Sequence, residues 1–276
     1  MDRKTPVTLP EGYLDFYKSL EHWQNEQEIV LKGACSFKPV DSLPLVLSEN
    51  KPLVQVKGFK LDPQLYQDNY SEFLNFLYKT RPELVSTLDK IKDSIPKFNF
   101  QIITSEIING TNKYLAELAA DIGVPVELFI FTFDHALRPF LRIYANPYKE
   151  ELVKDSFPRW ETPTICPICN ARSNFSRLRQ NDGRRMMYCD RCFSEWEAKY
   201  LQCVYCGNDE PGTIRYISVE NDDPYQLYIC DKCKGYLKTL DERQSGSNTD
   251  MFIANIETVY LDMLAKDKGF INPQGH

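Results

Sequence analysis

Histidine is scarce in this chain. There are three, His22, His135 and His276, in 276 residues. No spacing brings a Ser, a His and an Asp together as acyl-transfer chemistry would need. His135 sits in an apolar helical stretch and reads as a hydrogen-bonded helix histidine, not a base or a ligand. There is no G-x-x-x-x-G-K-[ST] phosphate loop and no G-x-G-x-x-G fingerprint. With no catalytic motif, the chain reads as something other than an enzyme. Excess basic charge is also lacking. Lys and Arg number 33 against 39 Asp and Glu, net charge is −6 and pI about 5.3. That balance argues against a protein built mainly to coat nucleic acid. No apolar run approaches the ~20 residues of a membrane span. Met1-Asp2-Arg3-Lys4 carries charge with no apolar signal segment behind it, so the expectation is a cytoplasmic protein with reduced thiols.

Cysteine is what the chain does have. Eight of its nine cysteines form four Cys-x-x-Cys pairs: Cys166/Cys169, Cys189/Cys192, Cys203/Cys206 and Cys230/Cys233. Nineteen residues separate the first two pairs, twenty-three the last two, and ten the halves. A haem attachment would need His after the second cysteine, but Asn170, Phe193, Gly207 and Lys234 stand there. A thioredoxin-like motif would need a βαβ frame, which is missing here. Two tandem C-x2-C…C-x2-C units are the ligand set of two structural four-cysteine metal sites. Sequential pairing assigns Cys166, Cys169, Cys189 and Cys192 to site 1. It assigns Cys203, Cys206, Cys230 and Cys233 to site 2. Interleaved pairing stays open at this point. Four sulfurs suit iron and zinc alike. Cys35 is a lone thiol, read as inert.

A hairpin fits between the pairs of each half. Ser173 to Gln180, Asp182-Gly183 and Arg184 to Tyr188 make the first, with Asp-Gly as a strong turn signal. Thr213 to Val219 and Tyr225 to Ile229 flank Asn221-Asp222-Asp223-Pro224 in the second. Knuckle, hairpin, knuckle is the zinc-ribbon or rubredoxin plan. A positive φ suits the residue after each knuckle, for which Asn170 and Gly207 are natural and Phe193 and Lys234 are not.

Upstream of the cysteines the pattern is helical. Apolar spacing marks helices from Tyr13, near Asp68, after Pro82 (Leu84, Leu88, Ile91, Ile95) and over Ile103 to Ile122. The last is interrupted by Gly110 and capped by Gly123. Another helix follows Pro125, with Pro139 expected to kink it. Residues 34–66, broken by Pro39, Pro44 and Pro52, read as extended chain through Val54, Val56 and Phe59. The expected bundle spans 11–145 and the linker 148–165. From Asp250 helical spacing returns at Phe252, Ile256, Val259, Tyr260 and Met263. The fold class is α+β: an N-terminal helical bundle, two tandem rubredoxin-like or zinc-ribbon four-cysteine modules and a C-terminal helix. Its segments are 1–159, 160–202, 203–245 and 246–276.

The two cysteine units differ in charge. The first holds six arginines (Arg172, Arg177, Arg179, Arg184, Arg185, Arg191) against two aspartates, a net of +4. The second holds Arg215 and Lys232 against six carboxylates, a net of −4. Guanidinium groups suit bidentate contacts with carboxylate or phosphate, so Arg177, Arg179, Arg184 and Arg185 are candidate partner-binding residues.

These motifs resemble the formate dehydrogenase accessory protein family FdhE. The resemblance is carried by Cys166-Pro-Ile-Cys169, Cys189-Asp-Arg-Cys192 with Trp196, Cys203-Val-Tyr-Cys206-Gly207 and Cys230-Asp-Lys-Cys233 before Tyr236-Leu237-Lys238. The ending Leu261-Asp262 to Asn272-Pro273 and the helical His135-Ala-Leu-Arg138-Pro-Phe-Leu141 are similar too. It implies a cytoplasmic, non-catalytic maturation factor for the molybdenum- or tungsten-containing catalytic subunit of formate dehydrogenase, with rubredoxin-like iron centres. A redox or electron-transfer protein using four-cysteine iron is the alternative, and a nucleic-acid-binding zinc ribbon a second.

Overall fold

The computed structural model describes residues 6–246 and 249–273. Met1-Asp2-Arg3-Lys4 and His276 lie outside them. Helix α1 (Tyr13–Leu31) is followed by two single-turn helices, α2 (Leu43–Val46) and α3 (Leu53–Val56). Residues 34–66 are therefore not extended throughout. Pro44 and Pro52 start turns instead of only breaking them, since proline near the first helical position gives up no needed N–H. Helix α4 (Pro63–Thr80) begins earlier than its apolar stripe, because Asp62 accepts from the amides of Gln64 and Leu65.

Helices α5 (Val85–Ser94), α6 (Phe100–Asn109) and α7 (Lys113–Ile122) come next. Gly110 at φ 68° and Gly123 at φ 67° end the last two in the left-handed region. The one long helix expected over 103–122 is thus two.

Helix α8 (Val126–Ala145) is the axis of the bundle. It buries Phe129, Phe133, Leu137, Phe140 and Leu141, and Phe133 stacks on Tyr70 of α4 at 4.1 Å. Pro139 lies inside it. A proline there removes the hydrogen bond to the carbonyl four residues back, that of His135. Buried Gln24 of α1 donates Nε2–H to that oxygen at 3.1 Å, so α1 supplies the missing bond. A short helix α9 (Lys149–Leu152) leads into the cysteine region.

Six strands follow: β1 (Phe175–Leu178), β2 (Arg185–Tyr188), β3 (Glu195–Ala198), β4 (Ile214–Ser218), β5 (Tyr225–Cys230) and β6 (Tyr236–Asp241). Both expected hairpins are present, and each gains a third strand after its second knuckle. The two ribbons merge in one sheet of order β3-β2-β1-β6-β5-β4, antiparallel except where β1 runs parallel to β6.

Helices α10 (Glu242–Ser245), α11 (Met251–Glu257) and α12 (Val259–Asp267) close the chain. Ala254, Tyr260, Leu261, Ala265 and Phe270 pack on the sheet face that carries Phe175, Tyr188, Leu227 and Leu240. Met263, expected on that stripe, is exposed and Leu261 is buried in its place. The other face (Met187, Trp196, Leu237) belongs to the same core as the helical bundle.

Candidate metal centres

All four knuckles share one backbone design. The first cysteine's carbonyl accepts from the amide four residues on: Asn170, Phe193, Gly207 and Lys234 at 2.8 to 3.2 Å. Each of those four residues has positive φ, between 59° and 71°. The first cysteine's own amide then donates to the next carbonyl, that of Ala171, Ser194, Asn208 or Gly235. This turn leaves both sulfurs of a pair on one side of the backbone.

Left-handed backbone costs a residue with Cβ roughly 1–2 kcal/mol, so Phe193 and Lys234 need a reason. Phe193 has one. Its ring lies under the guanidinium of Arg142 at 3.7 Å and against Tyr188 and Phe252 at 5.8 and 5.9 Å. Lys234 sits 5.7 Å from the Phe270 ring and its carbonyl accepts from Ile271. The following Gly235 has no room for a side chain, because a Cβ there would meet Tyr205 at 2.8 Å and the Cys233 sulfur at 3.1 Å.

The hairpins bring the knuckles together in sequential pairs. Sγ atoms stand 3.6 Å apart for Cys166 and Cys192, 3.5 Å for Cys169 and Cys189, 3.6 Å for Cys203 and Cys233, and 3.9 Å for Cys206 and Cys230. Within each set of four all the ligand atoms lie within 4.8 Å of one another. A tetrahedron with metal–sulfur bonds of about 2.3 Å has edges of about 3.8 Å, so both clusters can hold a metal ion. Each sulfur cluster is sequential, as each hairpin's closure requires. Asn208 Nδ2–H reaches the Cys230 sulfur at 3.8 Å, and the Gly235 amide reaches that of Cys233 at 3.4 Å. Cys192 and Ser194 Oγ are 3.2 Å apart.

The two sites differ in surroundings. Every cysteine of site 1 is fully buried, whereas Cys206 of site 2 is exposed and Cys233 partly so. Burial pushes the thiols of Cys166 and Cys169 well above the usual range. A metal binding there must displace the protons of those two thiols, whereas Cys192, despite its burial, is held well below the usual range by hydrogen bonds from the neighbouring sulfurs and Ser194.

Site 1 is also clamped by the bundle. The first amides of α3, Leu53 and Val54, donate to the carbonyls of Pro167 and Ile168, the two residues between Cys166 and Cys169. Asn170 Nδ2–H donates to the Ile108 carbonyl at the end of α6. The second knuckle faces α8. Arg191 contacts Asp134 at 2.9 Å, and Arg138 joins Asp134 at 2.8 Å and the Asp190 carbonyl at 3.1 Å. Burial would raise the Asp134 carboxyl, but Arg191 and Arg138 overcome that and hold it well below the usual carboxylate range. Asp134 and Arg142 carry no sequence-based expectation, and Arg138 enters only through the His135-Ala-Leu-Arg138 resemblance; the available signal is three charges spaced four residues apart on one helix.

His135 is, as expected, a satisfied core histidine. Its Nδ1 lies 3.1 Å from Gln24 Nε2, and burial holds its pKa well below the usual value.

The four candidate arginines are not an open patch. Arg177 is forked between Glu195 (2.7 Å) and Glu242 (2.7 Å). Arg179 pairs with Asp182, and Arg184 with Asp155 at 2.7 Å and Glu197 at 3.2 Å. Arg185 is 2% exposed and lies inside the molecule. Carboxylates within the chain already answer Arg177, Arg179 and Arg184, and Arg185 is corrected from a surface group to an interior one.

A helical bundle clamping one cysteine ribbon, with a second ribbon joined edge to edge, defines a tandem four-cysteine metal-site protein. Residues 201–275, the stretch that carries site 2, match the family described as FdhE, C-terminal domain. An FdhE homolog of Aquifex aeolicus is 24% identical over 229 residues, which is 82% of this chain and 73% of that one. An FdhE homolog of Actinobacillus pleuropneumoniae is 25% identical over 170 residues, 60% of this chain and 52% of its own length. The crystal structure of the FdhE protein from Pseudomonas aeruginosa shares the fold, with a TM-score of 0.61 at 18% identity over 96% of this chain and 88% of that one. The resemblance to the FdhE family is therefore borne out. Among the described residues no helix is long and apolar enough to cross a membrane.

Proposed function

We propose that the chain is a formate dehydrogenase accessory protein, a non-catalytic cytoplasmic maturation factor. It binds the catalytic subunit of a molybdenum- or tungsten-dependent enzyme and holds two metal ions, iron or zinc. The supporting observation is the FdhE C-terminal match lying over a four-cysteine cluster of metal-binding geometry. Bound metal would cross-link each ribbon and, if iron, supply a one-electron couple. Residues 1–159, 160–202, 203–245 and 246–276 are proposed as its working segments. Affinity capture from formate dehydrogenase-producing cells, followed by mass spectrometry, should recover the catalytic subunit. Failure to recover it counts against the reading.

The docking surface is proposed at the tip of the first hairpin, where Arg179 and Arg184 pair with the solvent-reaching carboxylates of Asp155 and Asp182 and can exchange partners, whereas Arg177 is held by the buried Glu242 and Arg185 is interior. Reversing both to Glu should weaken capture more at low salt than at high, without loss of metal. Exposure of Cys206 favours a second reading, an electron-transfer centre at site 2. A visible iron spectrum that bleaches and returns on reduction and reoxidation supports it, and a colourless zinc protein sinks it. The nucleic-acid reading loses support, since Arg177, Arg179, Arg184 and Arg191 are paired with carboxylates and Arg185 is interior.

A further inference from the structure

Every other arginine buried near the first ribbon has oxygen partners. Arg138 and Arg191 meet Asp134, Arg177 meets two glutamates, and Arg142 donates to the side-chain oxygens of Gln24 and Asn25 at 2.6 and 2.9 Å. Arg185 on β2 differs. It is 2% exposed, no carboxylate lies within 4.0 Å of it, and its Nε and Nη2 have no hydrogen-bond partner among the described residues. Its guanidinium lies 4.3 Å from the Tyr228 ring and 5.3 Å from that of Tyr200. Cation–π contacts of that kind recover only part of what burying an uncompensated ion costs. The rings therefore do not balance the burial, and an anion is owed.

The surroundings say which anion. Arg185 lines a cavity of about 20 Å³ together with Gln202, Cys203, Tyr205, Tyr228 and Cys230. That volume has room for about one water and not for a larger ligand. The anionic groups available there are the sulfurs of site 2. Four thiolates around a divalent ion carry a net charge of about −2, and a filled site 2 would place that charge beside the Arg185 guanidinium across the shared cavity.

We infer that Arg185, on the first ribbon, is the counter-charge of the metal centre in the second ribbon. It is a positioning residue: it stabilises the tetrathiolate form through space and ligates nothing. This rests on the reading that site 2 holds a divalent metal. It follows that filling site 2 tightens the packing of β2 against the third knuckle, and that the ribbons communicate by charge as well as through the β1–β6 pairing.

The test uses the intact chain loaded with zinc. Release to a colorimetric chelator is followed, and the phase that Cys206→Ser abolishes is site 2. Arg185→Met keeps bulk and removes charge, and should weaken site 2 by about 10- to 100-fold, the usual effect of losing an outer partner of a metal ligand. Site 1 should be unchanged. Arg185→Lys keeps the charge and should retain affinity within a few-fold of the parent. Equal release from the parent and Arg185→Met overturns the inference. So does an Arg185→Lys chain that loses site 2 as badly as Arg185→Met, because packing on the tyrosines would then be the cause. Should Arg185→Met not fold, the lysine variant decides alone. A parent chain that takes up only one zinc refutes instead the reading that site 2 is a metal centre.

Discussion

At the scale of single residues, the knuckles show which positions are chosen for backbone and which for packing. Phe193 and Lys234 occupy the same left-handed position with different support. Lys234→Gly should leave thermal stability unchanged or raise it by up to about 1 kcal/mol, because it relieves the backbone at little loss of contact. Phe193→Gly should destabilise by about 1 kcal/mol or more, since losing this partly buried ring costs about 3 kcal/mol and outweighs the same relief. Melting of the two variants at fixed metal loading checks the contrast. Glu21 offers a pH test. Burial first, and the neighbouring Asp250 carboxylate second, push its pKa up to about 7 from 4.5. The folded chain then holds a proton that the unfolded chain releases. Glu21 therefore favours folding fully below about pH 4.5, and its contribution is lost as pH rises through about 7. Glu21→Gln should flatten the fall in stability across that window, measured by urea unfolding at several pH values. An unchanged slope would place the proton elsewhere.

At the scale of elements, the two ribbons repeat a plan and differ in what covers them. Site 1 has four buried cysteines beneath α3, α6 and α8, while site 2 has Cys206 in solvent. A chelator reaches a metal by replacing ligands one at a time, so the open side of site 2 should surrender its ion first. Limiting chelator should give a one-metal species that keeps site 1, seen by native mass spectrometry. Random loss from both sites would contradict this. Amide exchange gives a sharper check on α3. Leu53 and Val54 donate to knuckle carbonyls rather than to their own helix. Their protection should fall when site 1 is emptied and should persist when only site 2 is stripped.

At the scale of the whole molecule, the first ribbon and the bundle share one core. A bundle followed by separate four-cysteine modules, the segments expected from spacing, would let a module be lost without cost to the helices. The structure changes that expectation. Cys189→Ser should lower the melting temperature of the helical signal itself, because the second knuckle anchors Asp134, Arg138 and Arg142 of α8. Cys230→Ser should disturb far less of it. Circular dichroism melts of the two variants make the comparison, and equal effects would argue against a shared core.

What the sequence determined by itself is what is local or periodic. The eight candidate ligands, both hairpins and the helix stops at Gly110 and Gly123 follow from spacing, turn chemistry and apolar period, whereas the choice of sequential over interleaved grouping and the Gln24 partner of His135 do not. Tertiary structure decided the rest. The third strand of each ribbon and the parallel β1–β6 junction are long-range pairings with no short-range signal. Short helices at Leu43 and Leu53 hid behind prolines that read as breakers. Arg185 looked like a surface charge, since nothing nearby in sequence shows that Tyr200 and Tyr228 fold over it. Local chemistry sets which groups can bind a metal, and only the packing of distant segments sets which charges are left to answer it.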